Sequence, residues 1–170
     1  MMDANDVTVS LLKTFDEFTD FECGDQEYSN FIKRPDRAQK YRLQNLNVTY
    51  LFRAGETPIG YVTVAMGSLR KQDQIADAGK SSGAVSCVLI EHIARDSRYK
   101  GKGVGKIMID WVINLAHELS KTIGCRLVVL EIPQHLITQF QSYGFELIPP
   151  DKLNRHYVMF FDLGIISSLD

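Results

Sequence analysis

The spacing of apolar and polar positions changes several times along this chain, and each change marks a predicted element. Residues 7–12 alternate, as a half-buried strand does. From 15 to about 46 the pattern is mixed and charged, which predicts helix with a break near Pro35, whose ring removes a backbone donor. Residues 47–53 and 59–66 read as strands. The tight Ala54-Gly55-Glu56-Thr57-Pro58 connection makes them an antiparallel hairpin. Residues 68–84 are polar and contain Gly and Ser, predicting a long surface loop.

A fourth strand over 85–95 leads into a glycine-rich turn. The next segment places Val104, Ile107, Met108, Trp111, Val112, Leu115 and Leu119 at helical spacing, with Gly124 as its stop. Residues 126–132 form a nearly continuous apolar run bounded by Pro133, the pattern of a strand covered on both faces. A short helix to about 143, a left-handed turn at Gly144, a strand over 145–148 and a last strand over 156–163 complete an alternating plan. No internal repeat interrupts it.

Composition narrows the class. With 170 residues, 45% apolar content and a formal charge of −2, the chain suits a single domain over 1–170, burying roughly 70% of its unfolded surface. No stretch reaches the length of a membrane-spanning helix, and Met1-Met2-Asp3-Ala4-Asn5-Asp6 lacks the basic flank of a signal peptide, so a cytoplasmic protein is expected. Cys23, Cys87 and Cys125 are odd in number and lack metal-ligand spacing, which points to reduced core thiols and to no metal.

The chemistry concentrates in Arg98-Tyr99-Lys100-Gly101-Lys102-Gly103-Val104-Gly105-Lys106. Glycines without Cβ let successive amides converge on an anion, the following helix adds unpaired first-turn donors, and Lys100, Lys102 and Lys106 add positive charge. A polyphosphate is the natural occupant. A nucleotide-triphosphate loop would need glycine where Lys100 stands and Ser or Thr where Ile107 stands, and a dinucleotide loop would need its third glycine one residue after Gly105.

Lys100-Gly101-Lys102-Gly103-Val104-Gly105 instead fits, with Lys for Arg, the [Arg/Gln]-x-x-Gly-x-[Gly/Ala] loop that grips the pyrophosphate of coenzyme A. On this loop and on the order of elements across nearly the whole chain, the sequence resembles the GNAT superfamily of acyl-CoA N-acyltransferases. The resemblance implies an α/β (α+β) domain: a mixed, mostly antiparallel sheet of about seven strands, helices on both faces, and a splay between strands four and five. It implies acetyl-CoA as acyl donor, held by Lys100, Gly101, Lys102, Gly103, Val104, Gly105 and Lys106, and by the strand-end backbone of Ile93, Ala94 and Arg95.

Glu91 is the candidate general base. A charge inside an otherwise apolar run needs a reason, and in several GNAT enzymes a carboxylate stands four residues before the last pantetheine-contacting position, the spacing of Glu91 to Arg95. His92 is the second candidate. The usual acid is a tyrosine in Phe-Tyr-x-x-x-Gly-Phe, but here Gln139-Phe140-Gln141-Ser142-Tyr143-Gly144-Phe145 places Phe140 at that position, able to pack on pantetheine and unable to give a proton. Tyr143, about one helical turn further on, is the substitute candidate.

A narrower resemblance covers residues 21–33, 49–52 and 59–68, which look like the GNAT branch of toxins that acetylate the amino acid on charged tRNA and pair with ribbon-helix-helix antitoxins. Lys33, Arg34, Arg37, Lys40 and Arg42 would then meet phosphate, although the slightly acidic charge balance does not favour a nucleic-acid binder. The leading expectation is an N-acetyltransferase acting on a small amine, a peptide N-terminus or an aminoacyl group. Its alternatives are a catalytically weak acyl-CoA-binding module and the toxin-like activity. The resemblance also allows a homodimer, and the sequence leaves the acceptor open.

Overall fold

The computed structural model describes residues 2–14, 18, 20–70, 83–148 and 157–167. Among these residues, seven strands are hydrogen-bonded in the order β1-β2-β3-β4-β5-β7-β6: β1 (Val7–Leu11), β2 (Val48–Ala54), β3 (Thr57–Arg70), β4 (Ala84–Arg95), β5 (Leu127–Ile132), β6 (Glu146–Leu147) and β7 (Tyr157–Asp162). The helices are α1 (Gln26–Lys33), α2 (Lys40–Leu43), α3 (Val104–Ser120), α4 (Ile137–Gln141) and α5 (Gly164–Ser167). β1 with β2, β2 with β3, β5 with β7 and β6 with β7 are antiparallel, whereas β4 and β5 are parallel, so the sheet is mixed and mostly antiparallel. The predicted loop over 68–84 starts later than expected because β3 runs on to Arg70. Residues 71–82 and His156 lie outside the described residues.

The chain divides into two compact units, Met1–Ala65 with Glu91–Asp110, and Met66–Ile90 with Trp111–Asp170. In the first, Asp25 caps α1 by accepting from the amides of Glu27 and Tyr28 at 2.8 and 3.3 Å, a contribution of about 1 kcal/mol. The helix stops at Lys33 because Arg34 precedes Pro35 and is driven to extended backbone (φ −101°, ψ 133°). The break predicted near Pro35 is therefore present, followed by a wide turn over Pro35–Gln39 in which Arg37 is non-helical. Phe31 and Ile32 of α1 are buried with Phe18, Phe21, Leu51, Tyr61 and Ala94. β2 and β3 are joined across Ala54↔Thr57, with Gly55 at φ 58° in the turn, as the hairpin motif predicts. On β3, a Cβ at Gly60 would lie 2.7 Å from Met108 Sδ and 2.9 Å from the Ala94 carbonyl oxygen, so only glycine admits α3 this close to β3 and β4.

In the second unit, Val85, Cys87, Leu127, Val129 and Phe160 form the core, and burial pushes the Cys87 thiol up to about 11. The continuous apolar run of β5 is buried over Leu127, Val128, Val129 and Leu130, as a strand covered on both faces requires. Gly144, at φ 89°, closes α4 with Phe145 N donating to Phe140 O and Gly144 N to Gln141 O, the paired bonds of a left-handed helix stop. Gly124 does not play that part for α3, which ends at Ser120 and unwinds through Ile123 N to Leu119 O.

Candidate active site

β4 is tied to β5 only from Cys87↔Leu127 to Ile90↔Leu130, yet it continues to Arg95. Residues 91–95 thus leave the parallel register, and the β4–β5 splay is the result. Ala94 is buried, and Ile93 and Arg95 are half-buried. Strand pairing that ends in mid-strand leaves backbone donors and acceptors free for an extended ligand.

The strand then meets a buried acid. Asp96 is 1% exposed and accepts from Arg98 at both carboxylate oxygens (Nε to Oδ1 at 2.9 Å, NH2 to Oδ2 at 2.8 Å), from the Arg98 amide at 2.9 Å and from the Glu22 amide at 3.4 Å. Burial pushes its carboxyl up, but the Arg98 side-chain and backbone bonds outweigh it and hold the group below the usual carboxylate range. Arg98 is committed to Asp96, which leaves the lysines as the cations of the turn. Asp96 went unnoticed in the sequence, although an Asp just past a predicted strand, able to bond the backbone two residues on, is a turn-forming signal.

Gly101 and Gly103 adopt φ 77° and 85°, the left-handed region, and a Cβ at Gly101 would meet nothing within 4 Å. α3 begins at Val104 with no acidic residue in its first turn, and the amides of Val104, Gly105 and Lys106 are first-turn donors that have no carbonyl partner within the helix. Lys106 Nζ lies 2.5 Å from Asp110 Oδ2, and Lys102 Nζ sits 4.7 Å from the centre of the Tyr99 ring. Both pairs are at the surface and weak enough to yield to a stronger anion. Positive φ, bare amides, the helix dipole and lysines coincide, the requirements of a phosphate seat.

Glu91 and His92 stand at the start of the freed strand end. Glu91 is exposed, and its Oε2 accepts from Asn47 Nδ2 at 2.6 Å. His92 stacks on Phe31 of α1 at 3.8 Å and 12°, with Tyr28 edge-on at 5.4 Å. Burial lowers its proton affinity, with Glu91 and Glu27 opposing, and its Nδ1 is buried without a hydrogen-bond partner. Sequence reasoning missed Asn47, Tyr28 and Phe31. No local signal marks Asn47, which lies 44 positions from Glu91.

In the second unit, Phe140 is 5% exposed, its ring edge-on to Tyr143 and Phe145 at 5.7 Å each. The Tyr143 hydroxyl accepts from Gln139 Nε2 at 2.8 Å in an exposed pair. Among the described residues no group of three or more His, Cys, Asp or Glu side chains is placed to hold a metal ion, and no helix is long and apolar enough to cross a membrane.

Residues 11–139 match the model of the acetyltransferase (GNAT) family. The chain is 24% identical over 161 residues to the probable toxin TacT of Sinorhizobium fredii (strain NBRC 101917 / NGR234), spanning 88% of this chain and 86% of that protein. Its backbone resembles AtaT complexed with acetyl-methionyl-tRNAfMet, with a TM-score of 0.80 at 17% identity over 96% of this chain and 98% of the other. It also resembles a Tyr-to-Phe mutant of the AtaT toxin bound to acetyl-CoA and the C-terminus of the antitoxin AtaR, with a TM-score of 0.76 at 21% identity over 96% of this chain and 98% of the other.

Proposed function

Since the chain belongs to the acetyltransferase (GNAT) family, we propose that it transfers acetyl from acetyl-CoA to a primary amine, with the aminoacyl group of a charged tRNA as acceptor. The observation that carries the donor half is the turn from Lys100 to Lys106, where left-handed Gly101 and Gly103 precede a helix start free of acidic residues. The pyrophosphate would lie on the amides of Gly101, Gly103, Val104 and Gly105, beside Lys100, Lys102 and Lys106. Pantetheine would pair with the freed strand end at Ile93, Ala94 and Arg95. A backbone amide there would donate to the thioester oxygen as negative charge develops on it.

The acceptor half rests on relatives. AtaT has been seen with acetyl-methionyl-tRNAfMet, and the chain shares that fold along its length. In the reaction the amine nitrogen attacks the thioester carbon, the C–N bond forms, the C–S bond breaks, and coenzyme A leaves as thiolate. Glu91 takes the ammonium proton, directly or through a water, before attack, and the second proton, which the nitrogen sheds as it becomes an amide, passes to solvent. Phe140 cannot return one, so the thiolate draws its proton from solvent or leaves unprotonated, which a thiol's acidity permits near neutral pH. Holding amine and thioester together supplies most of the acceleration. A partner that binds and silences the enzyme, as AtaR binds AtaT, belongs to the same reading.

A second reading, an acyl-CoA-binding module with little turnover, is favoured by one observation: the usual tyrosine position holds a buried phenyl ring. Incubation with acetyl-CoA and either aminoacyl-tRNA or a panel of free amines, followed by free-thiol detection, separates the two. Thiol release with aminoacyl-tRNA supports the enzyme. Tight acetyl-CoA binding with silence across every acceptor supports the module.

A further inference from the structure

We infer that Asn47 is a positioning residue for the Glu91 carboxylate, an inference that rests on the reading of Glu91 as the proton acceptor. Asn47 is 6% exposed, just before β2, and its Nδ2 donates to Glu91 Oε2 at 2.6 Å. An ionised carboxylate only accepts, so this bond fixes the amide: its NH₂ faces Glu91 and its Oδ1 faces away. That Oδ1 is buried and has no hydrogen-bond partner.

Side-chain amides kept for packing are satisfied at both ends as a rule. Two residues on, Thr49 shows the ordinary solution, its hydroxyl paired with that of Thr63 at 2.9 Å inside the hairpin. Asn47 instead leaves its oxygen orphaned while its nitrogen reaches a carboxylate 44 positions away. The cost falls on Asn47 and the benefit on Glu91. Glu91 is an exposed, three-torsion side chain at the strand end. A charge-assisted bond from a buried amide removes its rotational freedom and leaves Oε1 to receive the proton.

The test is a double-mutant cycle on acetyl transfer from acetyl-CoA, with methionyl-tRNA as acceptor probe. Asn47→Ala should lower kcat about tenfold with acetyl-CoA affinity unchanged, and should lower it no further in the Glu91→Gln background. Asn47→Asp, similar in size but unable to donate and repelling Glu91, should lose at least as much. An equal fold-loss in both backgrounds would make Asn47 a packing residue and overturn the inference, as would a silent Asn47→Ala. If Glu91→Gln leaves kcat intact, it is the reading of Glu91 that fails, and the inference falls with it. A readout free of turnover covers variants that fold poorly or a probe that is not acetylated. The wild-type Asn47 side-chain amide protons should resonate downfield and move on Glu91→Gln, and an unmoved signal overturns the inference.

Discussion

Two strand-to-helix joints in this molecule solve the same connection in opposite ways. Between β4 and α3, glycines at positive φ carry the chain into a helix whose first turn holds no acidic residue. Between β5 and α4, Pro133 at φ −71° and a single 3₁₀ turn over Gln134–Leu136 make a stiff corner that ends in a buried phenyl ring. The first joint spends conformational order to leave donors exposed. The second has no glycine and reduces the freedom of the unfolded chain through Pro133. Chemistry follows this difference, because cations and bare amides gather at the first joint and aromatic packing at the second.

The difference between the two joints is most sensitive to a change at Gly103. Gly103→Glu forces a side chain into the left-handed region and sets a carboxylate in the phosphate seat, so acetyl-CoA affinity should fall at least about 100-fold, about 2.7 kcal/mol. Calorimetry reads it, and an unchanged affinity removes the seat. Gly60→Ala tests what holds α3 in place. A methyl 2.7 Å from Met108 Sδ and 2.9 Å from a backbone oxygen should cost about 1–3 kcal/mol in denaturant unfolding. A variant as stable as wild type would show that α3 is free to shift.

At the second joint the effects shrink. Pro133→Gly should lose about 0.5–1 kcal/mol of stability through the unfolded state and leave acetyl-CoA affinity untouched. Affinity that falls with it would mean both joints serve the donor. Phe140→Tyr should leave turnover unchanged or raise it, and a large loss would show that the phenyl ring itself is required.

His92 sharpens the picture through pH. Burial depresses its folded proton affinity, so between the folded and unfolded values the unfolded chain binds more protons. Its contribution is intact above the ordinary histidine range near 6.5 and is lost as pH falls through that range toward the folded value. Melting temperatures at pH 8 and pH 5 should differ more for wild type than for His92→Gln. Equal differences would mean that another group controls the decline.

Much of this was legible in sequence wherever the signal is local. The glycine turn, the hairpin at Gly55 and the stop at Gly144 each rest on a positive φ that few residues adopt, the break at Pro35 rests on what proline forbids its neighbour, and each is found. The α3 surface was harder. Predicted core positions Ile107, Trp111, Leu115 and Leu119 are half-buried, while Ile109, Ile113 and Ala116 are buried. Apolar residues ring so much of this helix that period alone does not choose its innermost face. Asn47, Phe31 and Tyr28 were invisible because their roles come from tertiary contacts with Glu91 and His92.

In the proposed reaction the held thioester is used on an aminoacyl amine. Its most direct test is mass spectrometry of the amino acids released from charged tRNA after incubation with this protein and acetyl-CoA. N-acetylated amino acid should appear in proportion to free thiol, and both should be lost in Gly103→Glu. Thiol release without an acetylated amino acid, or no release while acetyl-CoA binds tightly, would contradict it.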